Sequence, residues 1–124
     1  MAKLIVVVDD APEILELYKE LLTDEGYDVR LYSAVDTVVQ DVQKLQPDLL
    51  IVDFLLGGST TGWQLIQRLT NAQNNASMPI ILSSGACETL TSLKEQLLAA
   101  HVQLLPKPFD IDNFLVQVKN AVEV

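Results

Sequence analysis

Basic residues are scarce in this chain: 8 Lys and Arg stand against 17 Asp and Glu in 124 residues, a formal net charge of −9. Without a run of cations, the counterion release that drives nucleic-acid binding is missing, so direct contact with DNA, RNA or an anionic membrane is not expected. Cys87 is the only cysteine and cannot close an internal disulfide. The only histidine, His101, has no second ligand near it in sequence and reads as a surface residue. No apolar segment at the N-terminus is long enough for a signal peptide or a membrane span, and a cytoplasmic protein is expected.

Hydrophobic residues make up 49% of the chain and charged residues 20%. That balance fits a soluble globular fold, and the length fits one domain over residues 1–124. Four short apolar runs, Leu4–Val8, Leu49–Val52, Ile80–Leu82 and Val102–Leu105, show little polar alternation and predict strands buried on both faces. A weaker strand is expected over Tyr27–Tyr32. Between the strands the apolar spacing predicts helices over Pro12–Glu25, Val35–Gln46, Trp63–Ala72, Glu88–Ala99 and Ile111–Val122. Pro12 suits a first helical turn and Gly26 follows the first helix. Ile14, Leu17, Tyr18 and Leu21 are expected to share one face, with Leu15 and Leu22 widening the apolar arc. Ser33 followed by Asp36 has the spacing of a capping box for the second helix, and Asp110 is placed to cap the last.

Alternating strand and helix units imply a parallel sheet with helices on both faces, a doubly wound α/β fold with right-handed crossovers. In such sheets ligands bind beyond the carboxyl ends of the strands. Those ends carry Asp9 and Asp10 after "VVV", Asp53 after "LLIV", Ser83 and Ser84 after "IIL", and Lys107 in "LLPKPF". Unit charges about 4 Å apart repel by roughly 4 kcal/mol at an effective dielectric of 20, so three converging carboxylates call for a cation. Oxygen donors without His or Cys suit Mg²⁺, and Lys107 is placed to face a carboxylate or a phosphoryl oxygen. Bland readings exist for each residue: Asp9 and Asp10 as helix caps, Ser84 as a strand-end hydroxyl, Lys107 as a solvated turn. None of them explains the acids, the hydroxyl and the lysine together.

The ordered set "VVVDD", "LLIVDF", "PIILSSG" and "PKPF" resembles the receiver domains of bacterial two-component response regulators over essentially the entire chain. The resemblance implies a flavodoxin-like (βα)5 fold with strand order 2-1-3-4-5. It implies that Asp53 accepts a phosphoryl group from a phosphohistidine on a sensor histidine kinase or a phosphotransfer protein. It further implies Mg²⁺ held by Asp9, Asp10, Asp53 and the backbone carbonyl of Leu55, with Ser84 and Lys107 contacting the phosphoryl group. A cis bond between Lys107 and Pro108 is expected on the same ground, as is a kinase-docking surface including Ile14, Leu15, Pro108 and Phe109.

The chain departs from the family pattern in places. The loop "FLLGGSTTG" is one residue longer than usual before Gly62 and lacks a Met-Pro pair, and Leu104 stands where an aromatic switch residue is common. Signal output to an effector therefore needs another route. The alternatives are a receiver-like interaction scaffold that works without phosphorylation, and an aspartate-based phosphatase. The phosphatase needs Asp-x-Asp after the first strand, where this chain has Ala11 two positions after Asp9.

Overall fold

The computed structural model describes residues 2–34, 37–54, 56, 61–71, 78–85, 102–107 and 109–122. Five parallel strands, β1 (Leu4–Val8), β2 (Asp28–Tyr32), β3 (Leu49–Asp53), β4 (Ile80–Ser84) and β5 (Val102–Pro106), form one sheet in the order β2-β1-β3-β4-β5. Four helices are described: α1 (Pro12–Asp24), α2 (Val38–Leu45), α3 (Gly62–Asn71) and α4 (Ile111–Val122). The helix expected over Glu88–Ala99 lies outside the described residues.

Position in the sheet explains the strand sequences. β3 and β4 are buried at every residue and β1 at all but Leu4, which is why they lack polar alternation. The outer strand β2 exposes Asp28 and Arg30, and β5 exposes Gln103, so the Val102–Leu105 run is not buried on both faces as its apolar sequence predicts: an edge strand faces water on one side. Alternate residues of each strand enter opposite layers. Val6, Val8, Leu50, Val52, Ile80 and Leu82 pack with Val38 and Val42 of α2 and Leu65, Ile66 and Leu69 of α3. Ile5, Val7, Leu49, Ile51, Ile81 and Leu105 pack with Leu15, Tyr18 and Leu22 of α1 and Phe114 and Val118 of α4.

Two further sequence readings need correction. The inner face of α1 centres on Leu15, Tyr18 and Leu22, which are buried, while Ile14, Leu17 and Leu21 sit half-buried at its margins. Leu15 is 7% exposed and cannot present a docking surface. Phe109 is also partly withdrawn, stacked on Tyr18 with ring centroids 5.8 Å apart. The second helix begins at Val38 with Thr37 before it, so Ser33 does not cap it, and Asp36 lies outside the described residues. A capping box does occur, at α3: Thr61 N–H donates to Gln64 Oε1 at 2.8 Å and Gln64 N–H to Thr61 Oγ1 at 3.2 Å. The Thr-x-x-Gln spacing was legible, and a glycine in the first turn hid it.

Other end signals act as the sequence predicts. Pro12 occupies the first turn of α1, and Gly26 after it takes φ +90. Asp110 caps α4 by accepting the Asp112 N–H at 3.2 Å. At the end of α2, Gln46 adopts the left-handed region at φ 47 ahead of buried Pro47, and its N–H closes on the Val42 carbonyl at 2.8 Å.

Candidate functional site

The strand alternation that builds the α1/α4 layer continues past the strand ends and changes from apolar to charged. On β1 the series Ile5, Val7 runs on to Asp9; on β3 Leu49, Ile51 runs on to Asp53; on β5 Leu105 is followed two positions later by Lys107. Backbone pairing holds the extra residues in register, because Asp9 N–H donates to the Tyr32 carbonyl at 3.0 Å and Lys107 N–H to the Ser84 carbonyl at 2.8 Å. Three strands therefore deliver two acids and a lysine to one spot on one face.

Lys107 Nζ donates to Asp53 Oδ1 at 3.1 Å and to Asp9 Oδ2 at 3.3 Å. Asp9 is 1% exposed and Asp53 8%, so both ion pairs sit largely out of water. The second oxygen of Asp9 accepts the Ala11 N–H at 3.0 Å, which fixes the carboxylate at the entry to α1. Asp10 is exposed, and one carboxylate oxygen from each of Asp9, Asp10 and Asp53 lies within 4.8 Å of the others.

One ammonium pairs with two of the three carboxylates, and the electrostatics reflect that shortage. Burial pushes the Asp53 carboxyl above its usual range; the hydrogen bond and charge of Lys107 pull it back, and Asp9 and Asp10 push it up again. Burial alone would lower the Lys107 ammonium, but its hydrogen bond to Asp53 and the charges of Asp53 and Asp9 outweigh that, so Lys107 holds its proton more tightly than a free lysine. The donor set, carboxylate oxygens alone with a net negative charge, is the chemistry that a hard divalent cation takes.

Of the residues singled out in the sequence, Asp9, Asp10, Asp53 and Lys107 are brought together. Ser84 is buried at the end of β4, in the residue after the Asp53↔Ser83 pairing, and by alternation it belongs with Leu82 on the α2/α3 side. Leu55 and Pro108, and with Pro108 the expected cis bond, lie outside the described residues. Leu104 is half-buried against the α2/α3 layer, and its carbonyl accepts from Gln117 Nε2 at 3.3 Å.

Sequence reasoning missed one feature of the site. At Gly62 an added Cβ would collide with the carbonyl oxygen of Asp53, and the Gly62 N–H donates to the Phe54 carbonyl at 2.7 Å. Glycine here lets the returning loop press against the strand end that carries Asp53. The "TG" before a helical pattern was its only signal. Of the two serines read at the end of the fourth strand, Ser83 is the one that shares the Asp53 side of the sheet, beside buried Tyr18.

The fold and sequence have many counterparts. A putative response regulator from Chloroflexus aurantiacus superimposes with a TM-score of 0.85 at 27% identity, covering 100% of both chains. The receiver domain of a Francisella response regulator shares the fold at a TM-score of 0.84 and 21% identity, over 98% of this chain and 97% of that one. In sequence, the chain is 29% identical over 124 residues to the nitrogen assimilation regulatory protein NtrX of Azorhizobium caulinodans, covering 99% of this chain and 27% of that protein. It is 30% identical over 117 residues to the DNA-binding dual master transcriptional regulator RpaA of Synechocystis sp., covering 93% of this chain and 47% of that protein. The chain thus spans less than half the length of either relative. The profile of the response regulator receiver domain matches residues 5–119, a stretch that holds the sheet except Leu4 and all four members of the charged centre, and this chain belongs to that family.

Proposed function

We propose that Asp53 is the phosphoacceptor of a signalling switch. The family places the chain in phosphorylation-based signalling; the observation that supports Asp53 as the acceptor is its position at a buried strand end, 3.1 Å from Lys107 and beside two more acids. In the transfer, an Asp53 carboxylate oxygen bonds to phosphorus while the P–N bond of a donor phosphohistidine breaks, and the imidazole leaves with the electron pair. Lys107 follows the charge, from carboxylate oxygens before transfer to a phosphoryl oxygen after it. Ser84, which closes the adjacent strand one residue beyond the Asp53↔Ser83 pair, is the hydroxyl donor to that group in this reading, reaching around the strand end from the α2/α3 side.

Asp9, Asp10 and Asp53, with the Leu55 carbonyl, are the residues that would hold Mg²⁺. Their all-oxygen donor set and excess negative charge fit it. When bound, the ion neutralises charge at the acceptor and the incoming group. The partner is a sensor histidine kinase or a phosphotransfer protein, met in the cytoplasm. With Leu15 buried, Ile14 is the described α1 residue left to contribute to its docking. The net charge of −9 argues against direct nucleic-acid contact by this chain, whatever the longer relatives bind. Among the described residues no helix is long and apolar enough to cross a membrane.

Intact mass after incubation with Mg²⁺ and acetyl phosphate tests the proposal. An adduct of one phosphoryl group in the wild type and none in Asp53→Asn is expected. No adduct in the wild type with several donors would overturn it in favour of a phosphorylation-independent scaffold.

A further inference from the structure

The strand that steadies Asp9 is an outermost one. Asp9 lies one residue past the last β1–β2 pair, Val8↔Tyr32, and its N–H donates to the Tyr32 carbonyl at 3.0 Å. β2 has β1 on one side and no strand on the other, so the sheet holds that carbonyl from one side alone. The Tyr32 side chain supplies a second hold. Its ring packs half-buried on the α2/α3 layer, and its hydroxyl donates to Asp41 Oδ2 at 2.7 Å, nine residues further on. Asp41 is itself well anchored: it lies in the first turn of α2, where the helix dipole favours a carboxylate, and its N–H donates to the Thr37 carbonyl at 2.9 Å. Burial, and then the hydrogen bond and charge of Asp41, hold the Tyr32 hydroxyl above its usual range, so the phenol stays a donor at neutral pH.

Packing alone does not require this bond. A phenylalanine ring would cover the same apolar surface, and water can satisfy a half-buried hydroxyl. The bond does join the two faces of the sheet. Val8 and Tyr32 pair in register and their side chains leave on the α2/α3 face, whereas Asp9, next along β1, reaches Lys107 on the α1/α4 face. A carboxylate on α2 is thus linked through Tyr32, by hydrogen bonds of 2.7 and 3.0 Å, to the backbone of an acid of the charged centre. The Asp9 carboxylate is buried, so the direction in which it reaches is set by where its backbone sits. Mg²⁺ tolerates little departure from octahedral geometry, and a displaced strand end would be felt as lost affinity.

We infer that Tyr32 and Asp41 are positioning residues for Asp9. The hydroxyl–carboxylate bond fixes the end of β2, and the Tyr32 carbonyl fixes the backbone from which Asp9 reaches the cation. The coupling is reciprocal by linkage: a cation on Asp9 tightens the Tyr32–Asp41 bond and with it the first turn of α2.

The inference rests on the cation-site reading for its effect on Mg²⁺ but not for its effect on Asp9 itself, and the test separates them. Tyr32→Phe keeps the ring and Asp41→Ala keeps the helix, and each removes one side of the bond; Asp41→Asn keeps an acceptor oxygen. Mg²⁺ affinity is measured by calorimetry, beside the hydrogen-exchange rate of the Asp9 amide by NMR in chelator, with the amides of Val52 and Leu82 on the inner strands as references. The expected result is a Kd for Mg²⁺ raised about five-fold in Tyr32→Phe and in Asp41→Ala, the order of one hydrogen bond's loss. The double variant should be no weaker than either, since both substitutions break one bond. The Asp9 amide exchanges faster while the reference amides keep the wild-type rates, and Asp41→Asn stays close to wild type. A merely structural bond would lower stability without moving Mg²⁺ affinity or the exchange of Asp9 against the references. If the folded variants match the wild type in both, the inference is overturned. If the wild type binds no Mg²⁺, the cation-site reading fails and amide exchange alone decides this one: faster at Asp9 supports it, unchanged refutes it. Should Tyr32→Phe not fold, Asp41→Ala against Asp41→Asn carries the same comparison.

Discussion

Replacing Asp53 by asparagine keeps the shape of the side chain and an oxygen for Lys107 while removing one charge from the crowded end of the sheet. The Asp9 and Asp53 oxygens lie within 4.8 Å of each other, a separation at which two unit charges repel by about 3.5 kcal/mol at an effective dielectric of 20. The ion pair to Lys107 at 3.1 Å opposes this with about 5 kcal/mol by the same rule. Lys107 is 24% exposed, however, so solvent screens part of that attraction, and Lys107 divides it between two acids. Burial then penalises the charge again, and the balance falls on the side of the neutral form, as the raised Asp53 carboxyl shows. Asp53→Asn should therefore stabilise the metal-free protein at pH 7, by about 1–3 kcal/mol, or several degrees in melting temperature for a domain of this size.

The sign with pH follows. A carboxyl whose pKa is higher in the folded than in the unfolded state favours folding while it is protonated, and loses that advantage as pH rises through the folded value. The gap between variant and wild type should be small near pH 4 and grow toward neutrality. Mg²⁺ should narrow or reverse it, because binding to the native wild type adds stability that the variant, one ligand charge short, gains less of. Thermal unfolding monitored by circular dichroism, in chelator and in Mg²⁺, measures all of this. Equal or lower stability of Asp53→Asn in chelator at pH 7 would refute the crowded-carboxylate reasoning.

Lys107→Met should lose stability at pH 7, on the order of 3 kcal/mol, because it leaves Asp9 and Asp53 buried without a counter-charge; urea unfolding should show the deficit shrinking as pH falls and Asp53, whose carboxyl is raised, protonates. Gly62→Ala forces a Cβ against the Asp53 carbonyl oxygen, so a loss of about 2 kcal/mol or more is expected in urea unfolding, with slower phosphoryl uptake as the strand end shifts. Thr61→Ala removes one half of the α3 capping box and should cost about 1 kcal/mol without altering Mg²⁺ affinity measured by calorimetry. Leu15→Ala should destabilise by about 2–4 kcal/mol, as a core leucine does; an exposed docking residue would instead leave stability in urea unfolding unchanged and slow transfer from the partner kinase.

What could be read from the chain itself was whatever depends on local order. Apolar runs without alternation marked β1, β3 and β4, because a strand covered on both faces has no polar side to display. Proline, glycine and Asp110 marked helix ends, because capping and φ preferences act within a few residues. The acids and the lysine stood out because each closes an apolar run, and a charge there is costly unless it meets another. Leu15 against Ile14 was not legible, since both lie on the apolar arc of α1 and only the angle at which the helix meets the sheet selects the buried one. Nor was the role of Gly62, an ordinary residue in its own segment that acquires meaning from the Asp53 carbonyl it meets. Sequence alone determined that a parallel sheet would gather Asp9, Asp53 and Lys107 at one edge. Only the tertiary structure decided that one ammonium must serve both acids, because charge balance and hydrogen-bond satisfaction depend on distances between strands.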